Sequence, residues 1–353
     1  MRRYDIDAIR IIALSLLIFY HIMVAFQPWG DKLYFITNND SLESIWVLME
    51  LINIWRIPIL FMVSGMGVQL AMQNRTWGAL LGDRTLRIAV PLIFGSIFIV
   101  PSYIALFFIY YDKPVPAIPP SPGHLWFLLN IFLYVVFFLP LLIYLTKNPG
   151  NIIYLLVIRL IGFPFGIIAA LTVPVIFEAV LINPRGYAGF ALEPLHGWTI
   201  GMVYFLSGFI LVSLKDVFWD AVRNIKVTTL AVALMLYCLR VAPVDLVEVL
   251  GSRTDNALQA FEAACWILAS FGFACSYLNR PYKILLYLTA AVYPVYIVHM
   301  PLQYLFASVI FPLNMPAILK LAILFVATCS AGLLVYELLR RLKWIRLLFG
   351  MKV

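Results

Sequence analysis

Tyr4-Asp5-Ile6-Asp7-Ala8-Ile9-Arg10 leads into an apolar run, Ile11 to Phe26, that is interrupted by His21. The run approaches the length of a full membrane crossing. Arg10 and His21 are eleven positions apart. At about 100° per residue that is three turns plus roughly 20°, so both side chains leave nearly the same helix face, roughly 16 Å apart along the axis. An ionisable group at the centre of a bilayer costs roughly 2.5 kcal/mol or more and usually faces a cavity or a partner. Two readings follow. Either Arg10 snorkels to the headgroups while His21 makes a structural interhelix bond, or the pair lines a functional stripe.

Composition fixes the class around this helix. The chain has 353 residues, 64% hydrophobic and 12% charged, with a mean hydropathy of +0.97. A soluble domain cannot hide so much apolar surface, so the expected fold is an all-α polytopic membrane protein held in the lipid bilayer. The net charge of +8 falls mostly between apolar runs, so it is read by position and gives no indication of nucleic acid. Cys238, Cys265, Cys275 and Cys329 lie in apolar runs without metal-ligand spacing, so neither a disulfide framework nor a metal site is expected.

Ten crossings are expected, at about 8–27, 45–72, 86–111, 125–146, 152–182, 198–214, 226–243, 257–278, 284–308 and 316–339. The fifth is too long for a straight span and carries Pro164 and Pro174, which predicts a kink or a break. The first span lacks a small-residue cleavage site and is not read as a signal peptide. No loop is long enough for a soluble domain, so residues 1–353 form one membrane domain. With ten spans, sixteen loop cations fall on one side: Arg2, Arg3, Arg75, Arg84, Arg87, Lys147, Lys215, Arg223, Lys226, Arg280, Lys283, Arg340, Arg341, Lys343, Arg346 and Lys352. Four fall on the other, Lys32, Lys113, Arg185 and Arg253. The asymmetry puts both termini in the cytoplasm. No feature of the sequence specifies an oligomeric state.

On this topology His21, His124, His196 and His299 all lie in the outer half, where histidine suits proton transfer and also suits the headgroup region. At the inner mouth of the third span Arg84 and Arg87 share a helix face, fit either to clamp phosphates or to anchor the span. Within the second span Arg56 lies near Glu50, and a buried pair between them is expected although six residues is not an ideal spacing. Ser64-Gly65 and Ser207-Gly208 form similar strings on the second and sixth spans, read as small-residue packing rather than an internal repeat. Glu178, Arg159, Arg240, Glu262 and Lys320 are further charges, several close enough to an interface to snorkel.

Taken together, these residues resemble the membrane acyltransferase family 3. Asp7-Ala8-Ile9-Arg10, ten residues and His21 are similar to its Arg-x10-His signature. The likeness continues, in the family's order, through Phe61-Met62-Val63-Ser64-Gly65, Arg84-x-x-Arg87 with Pro91, His124-Leu125-Trp126-Phe127-Leu128, and Val292-Tyr293-Pro294-Val295-Tyr296-Ile297-Val298-His299. Trp55-Arg56-Ile57-Pro58 and the Tyr-Pro-Val-Tyr-Ile-Val-His ending look most like the glucans biosynthesis protein C branch, associated with succinylating periplasmic glucans. Two departures stand out. Ile11 replaces the glycine that often follows the arginine, and no extra esterase-like domain follows the membrane domain, which implies direct transfer to the acceptor.

The resemblance implies an acyl-CoA-dependent O-acyltransferase of the bacterial inner membrane. It would move an acetyl or succinyl group from cytoplasmic acetyl-CoA or succinyl-CoA to a hydroxyl of an extracytoplasmic carbohydrate or glycan, without a metal. Arg84 and Arg87 would hold the nucleotide end of CoA. His21 would be the base or a covalent nucleophile, with Arg10 neutralising the donor and His299 close to the chemistry. His124 and Trp126, beside Phe127, with Arg56 and Glu50, would receive the acceptor. The rival reading is a transporter exporting glycans or acidic metabolites, since intramembrane Arg and His with kinked helices suit that as well.

Overall fold

The computed structural model describes residues 2–243 and 246–351; Lys352, one of the sixteen inner cations, lies outside them. All regular structure among the described residues is helical. The main helices are α1 (Tyr4–Val24), α2 (Glu43–Met72), α3 (Trp77–Tyr110), α4 (Gly123–Phe137), α5 (Leu139–Lys147), α6 (Ile152–Ile161), α7 (Gly166–Ile182), α8 (Pro194–Ser213), α9 (Asp216–Arg240), α10 (Ser252–Tyr277), α11 (Lys283–Ile310) and α12 (Ala317–Leu339). Eight of them (α1, α2, α3 and α8 to α12) are each long and apolar enough to cross a membrane. The α4–α5 pair, bent by 61°, is either a broken span, which would make nine among the described residues, or a re-entrant loop. The stretch expected as a fifth crossing is present as the broken pair α6 and α7. Pro164 cannot continue a helix, and Phe165 takes a left-handed φ of 59° at the break. The chain is an integral, multi-pass membrane protein.

It divides into two compact units. The first comprises Met1–Ala13, Glu50–Leu81 and Leu133–Leu285; the second comprises Leu14–Met49, Gly82–Phe132 and Leu286–Val353.

In the first unit α2 and α8 pack backbone to backbone through the two Ser-Gly strings. A Cβ on Gly65 would meet the carbonyl of Phe205, and one on Gly208 would meet the carbonyl of Met62. Two glycines facing each other's helix is the small-residue packing the strings suggested. Around this pair, α10 packs against both α7 and α9 and is the most enclosed helix, with 72% of its apolar window buried.

The buried charges of this unit are paired rather than snorkelling. Arg240 on α9 donates to Glu50 on α2 and, through Nε at 2.8 Å and Nη2 at 3.0 Å, to Glu262 on α10. Trp266 adds its indole N–H to Glu262 at 3.1 Å. Arg240 thus reaches Glu50 from another helix, and Arg56 donates to Asn53, at 2.6 Å to the side chain and 2.9 Å to the carbonyl. Arg56 still adds a favourable charge near Glu50. Glu178 is likewise buried, bonded to His196 at 3.0 Å and to Thr199 at 2.5 Å.

In the second unit α3 is not uniform. Thr85–Ala89 and Gly95–Ile99 wind as π-helix, a local widening that often sits near functional sites. The C-terminal turn Arg346–Phe349 folds onto it, with the Phe94 and Phe349 rings 5.5 Å apart. Lys320, expected to snorkel, is buried and donates to Asn38 at 3.1 Å and to the Phe311 carbonyl at 2.7 Å.

Candidate active site

The histidines of the second unit converge. His21 comes from the C-terminal part of α1, His299 from the middle of α11, and His124 from the turn that opens α4. The turn owes its shape to Gly123, whose φ of +45° is left-handed and where a Cβ would strike Tyr103 and Val100. His21 Nδ1 and His299 Nε2 are 2.9 Å apart, with the rings parallel to 3°. The His124 ring stands 5.1 Å from that of His299, at 88°.

Hydrogen-bond logic assigns the protons. His299 Nδ1 lies 2.6 Å from the Tyr296 carbonyl, which only accepts, so Nδ1 carries the hydrogen. A neutral His299 then has its lone pair on Nε2, and His21 Nδ1–H must donate to it. The basic nitrogen of neutral His21 is consequently Nε2. His124 donates from Nε2 to the Ile297 carbonyl at 3.2 Å. That carbonyl is available because residue 301, whose N–H would have closed the helical bond to it, is proline. Pro301 thus opens the acceptor that seats His124.

The rest of α11 supports the cluster. Tyr296 donates to the His124 carbonyl at 2.6 Å, and Gln303 donates to the His21 carbonyl at 2.8 Å. Tyr304 donates to the Tyr34 carbonyl at 2.8 Å, and its ring lies 5.0 Å from that of Tyr103. His299 and Gln303 are fully enclosed, while His21 and His124 are half-buried. Each imidazole is therefore fixed, and the cluster can accept, relay or donate a proton.

The other expected residues fall as follows. Arg84 ends the first α-helical segment of α3, and Arg87 lies in the π-helical turn, paired with Asp83 at 3.0 Å. The π-turn departs from the α-helical geometry on which their common face was expected. Tyr293, two turns before His299 on α11, donates to the Arg87 carbonyl at 2.8 Å. In this unit α11 therefore contacts both the arginine segment and the histidine cluster, from positions roughly 9 Å apart along its axis. Trp126 is half-buried, two residues beyond His124.

Arg10 belongs to the first unit, about a third exposed and 3.5 Å from Asp7, which Arg2 also holds. Arg56 and Glu50 belong there too, in the pairings given above. His196 is not with the other histidines. It is fully enclosed in the first unit, between Glu178, the Tyr187 carbonyl at 2.9 Å and the Phe190 ring. Sequence reasoning missed Tyr296, Tyr103 and Gln303; Pro301, two residues after His299, was the available signal. Among the described residues no group of three His, Cys, Asp or Glu is placed to hold a metal ion.

A protein-family model described as an acyltransferase domain matches residues 3–337, nearly the whole chain. No curated protein and no solved structure gives a significant match.

Proposed function

The chain belongs to acyltransferase family 3 and is a membrane acyltransferase; from that premise we propose that it transfers an acetyl or succinyl group from acyl-CoA to a carbohydrate hydroxyl. The observation that carries the reading is the His21–His299–Tyr296 chain of hydrogen bonds, which leaves the basic lone pair on His21 Nε2. The thioester supplies the activated acyl group. His21 Nε2 takes the proton of the acceptor hydroxyl as its oxygen attacks the acyl carbonyl. The same nitrogen returns that proton to the departing thiolate, so His21 ends as it began. His299 steadies the transient imidazolium by accepting from its Nδ1–H. A covalent acyl-His21 intermediate is the variant of this scheme, with Nε2 attacking the carbonyl directly.

Arg84 and Arg87 are the proposed contacts for CoA phosphates, as guanidiniums suit them, Arg87 being kept extended by Asp83. Arg10 would add positive charge for the anionic donor. His124 and Trp126 are the proposed acceptor contacts, with the indole face stacking on a sugar. Arg56 and Glu50, already engaged with Asn53 and Arg240, would act on the acceptor only through that network. The sixteen-to-four loop asymmetry supports cytoplasmic termini in a bacterial inner membrane, with CoA arriving from inside and the carbohydrate from outside. The resemblance to the glucans biosynthesis protein C branch favours succinyl transfer to a periplasmic glucan.

The test is release of free CoA thiol by purified protein given acetyl-CoA or succinyl-CoA with periplasmic glucan, for wild type and His21→Ala. Release from one donor, abolished in the variant, is expected. Release that survives the substitution would remove His21 from the chemistry, and a stoichiometric burst without acceptor would select the acyl-enzyme variant.

A further inference from the structure

The first unit holds an apolar cavity of about 390 Å³ that the acyl-transfer chemistry does not use. Its longest wall is α10, which contributes six positions from Trp266 to Tyr277, continued by Leu278, at the i, i+3, i+4 spacing of a single helix face. Twelve residues of helix are roughly 18 Å long, close to the depth of one leaflet, about half of the ~30 Å hydrocarbon core. The cavity is therefore a slot running along a membrane helix, of leaflet depth.

Its chemistry is hydrocarbon throughout. The polar atoms of its walls are turned to the protein: Trp266 donates to Glu262 at 3.1 Å, Trp55 to the Leu51 carbonyl at 2.8 Å, and Ser270 to the Trp266 carbonyl at 2.8 Å. The slot is floored at mid-helix by Trp55 and Trp266, whose rings stack 6.1 Å apart. At its lip Ile12 is 45% exposed and Tyr277 is 61% exposed, so it opens on the outside of the protein.

The open end is cationic. Lys226 Nζ lies 6.0 Å from the Tyr277 ring and donates to the Arg223 carbonyl, with no carboxylate among its recorded partners. Cys275, between the wall residues Ala274 and Leu278, is contacted by the guanidiniums of Arg223 at 3.4 Å and Arg3 at 3.7 Å. Arg3 and Arg223 have carboxylate partners, Asp5 and Asp220, which leaves the Lys226 ammonium as the charge open to a ligand.

A leaflet-deep hydrocarbon slot with an ammonium at its interfacial end matches one class of molecule. We propose that it binds a single anionic phospholipid of the bilayer. One acyl chain lies along α10 down to the Trp55–Trp266 floor, and the phosphate lies at Lys226. The site shares no residue with the histidine cluster and does not rest on the proposed chemistry.

The experiment is native mass spectrometry of the full-length protein taken from membranes in mild detergent, followed by exchange into phosphatidylglycerol or phosphatidylcholine. Wild type is expected to retain one phospholipid and to prefer phosphatidylglycerol. Ser270→Leu, which fills the slot one turn above its Trp55–Trp266 floor, is expected to lower retention at least tenfold. Ala274→Leu repeats the block at a second position, and gel filtration and thermal unfolding confirm that each variant is folded. Lys226→Gln is expected to keep the chain but to lose about fivefold of the preference for phosphatidylglycerol, the share of one interfacial cation. Retention unchanged in both folded slot-filling variants overturns the site, as does a wild type that retains no lipid. Equal retention of the two lipids by wild type overturns the anionic head group.

Discussion

The two units bury polar groups in opposite ways. In the first, the acids are matched with cations or hydroxyls: Arg240 lies between Glu50 and Glu262, and Glu178 is bonded by His196 and Thr199. In the second, His21 and His299 bond to each other, and His299 and His124 bond to the carbonyls of Tyr296 and Ile297. A charge pair removed from water is rigid, because losing either member strands the other. A neutral imidazole can accept a proton and give it back, which is what a transfer reaction requires. The two kinds of polar group thus serve different ends.

The strongest way to break this contrast is to apply one substitution to a histidine in each unit. His21→Ala should lower turnover about 10²- to 10⁴-fold, the usual worth of a positioned general base, with little change in the thermal midpoint. His196→Ala should instead lower stability by about 1–3 kcal/mol, the cost of an unsatisfied buried partner, and leave the turnover of the surviving protein near wild type. The opposite outcome, an inactive but stable His196→Ala, would move the chemistry to the first unit. Next in size, Arg240→Met should cost about 3–5 kcal/mol by stranding Glu50 and Glu262, measured by thermal or chemical unfolding in detergent. The paired change of Glu50 and Glu262 to Gln in that background should recover part of it.

Smaller effects sharpen the contrast. Pro301→Ala restores an N–H that competes with His124 for the Ile297 carbonyl, so turnover should fall roughly three- to tenfold, the share of one hydrogen bond. The fold should be unchanged or slightly firmer, as expected when a helix-interior proline is removed. Tyr296→Phe should cost about 1 kcal/mol through loss of its bond to the His124 carbonyl, read as a modest drop in midpoint and rate together.

Much of this organisation was legible in the chain. The class follows from apolar runs that a soluble core cannot hide, and the fifth run announced its break through Pro164. The Arg10–His21 spacing and the ordered motifs single out His21, His299 and His124 from the chain alone. What escaped were relations between helices. Glu50 had a visible candidate six residues away, and no local rule could prefer Arg240, which is 190 positions distant. His196 looked like its three counterparts because residue type carries no record of neighbours, and its burial against Glu178 separates it from them. The π-turns of α3 left no obvious periodic mark, so the geometry of Arg84 and Arg87 was read on an α-helix that Arg87 does not occupy.

The reciprocal glycine seam between α2 and α8 also bears on biogenesis. Gly65 and Gly208 are about 140 residues apart, so α2 leaves the ribosome well ahead of its partner. At about 5–20 residues per second the delay is roughly 7–30 s. Throughout that interval α2 waits in the bilayer with its glycine groove against lipid and with Glu50 lacking Arg240, which emerges later still. The groove therefore awaits a partner from the same chain before the seam can close.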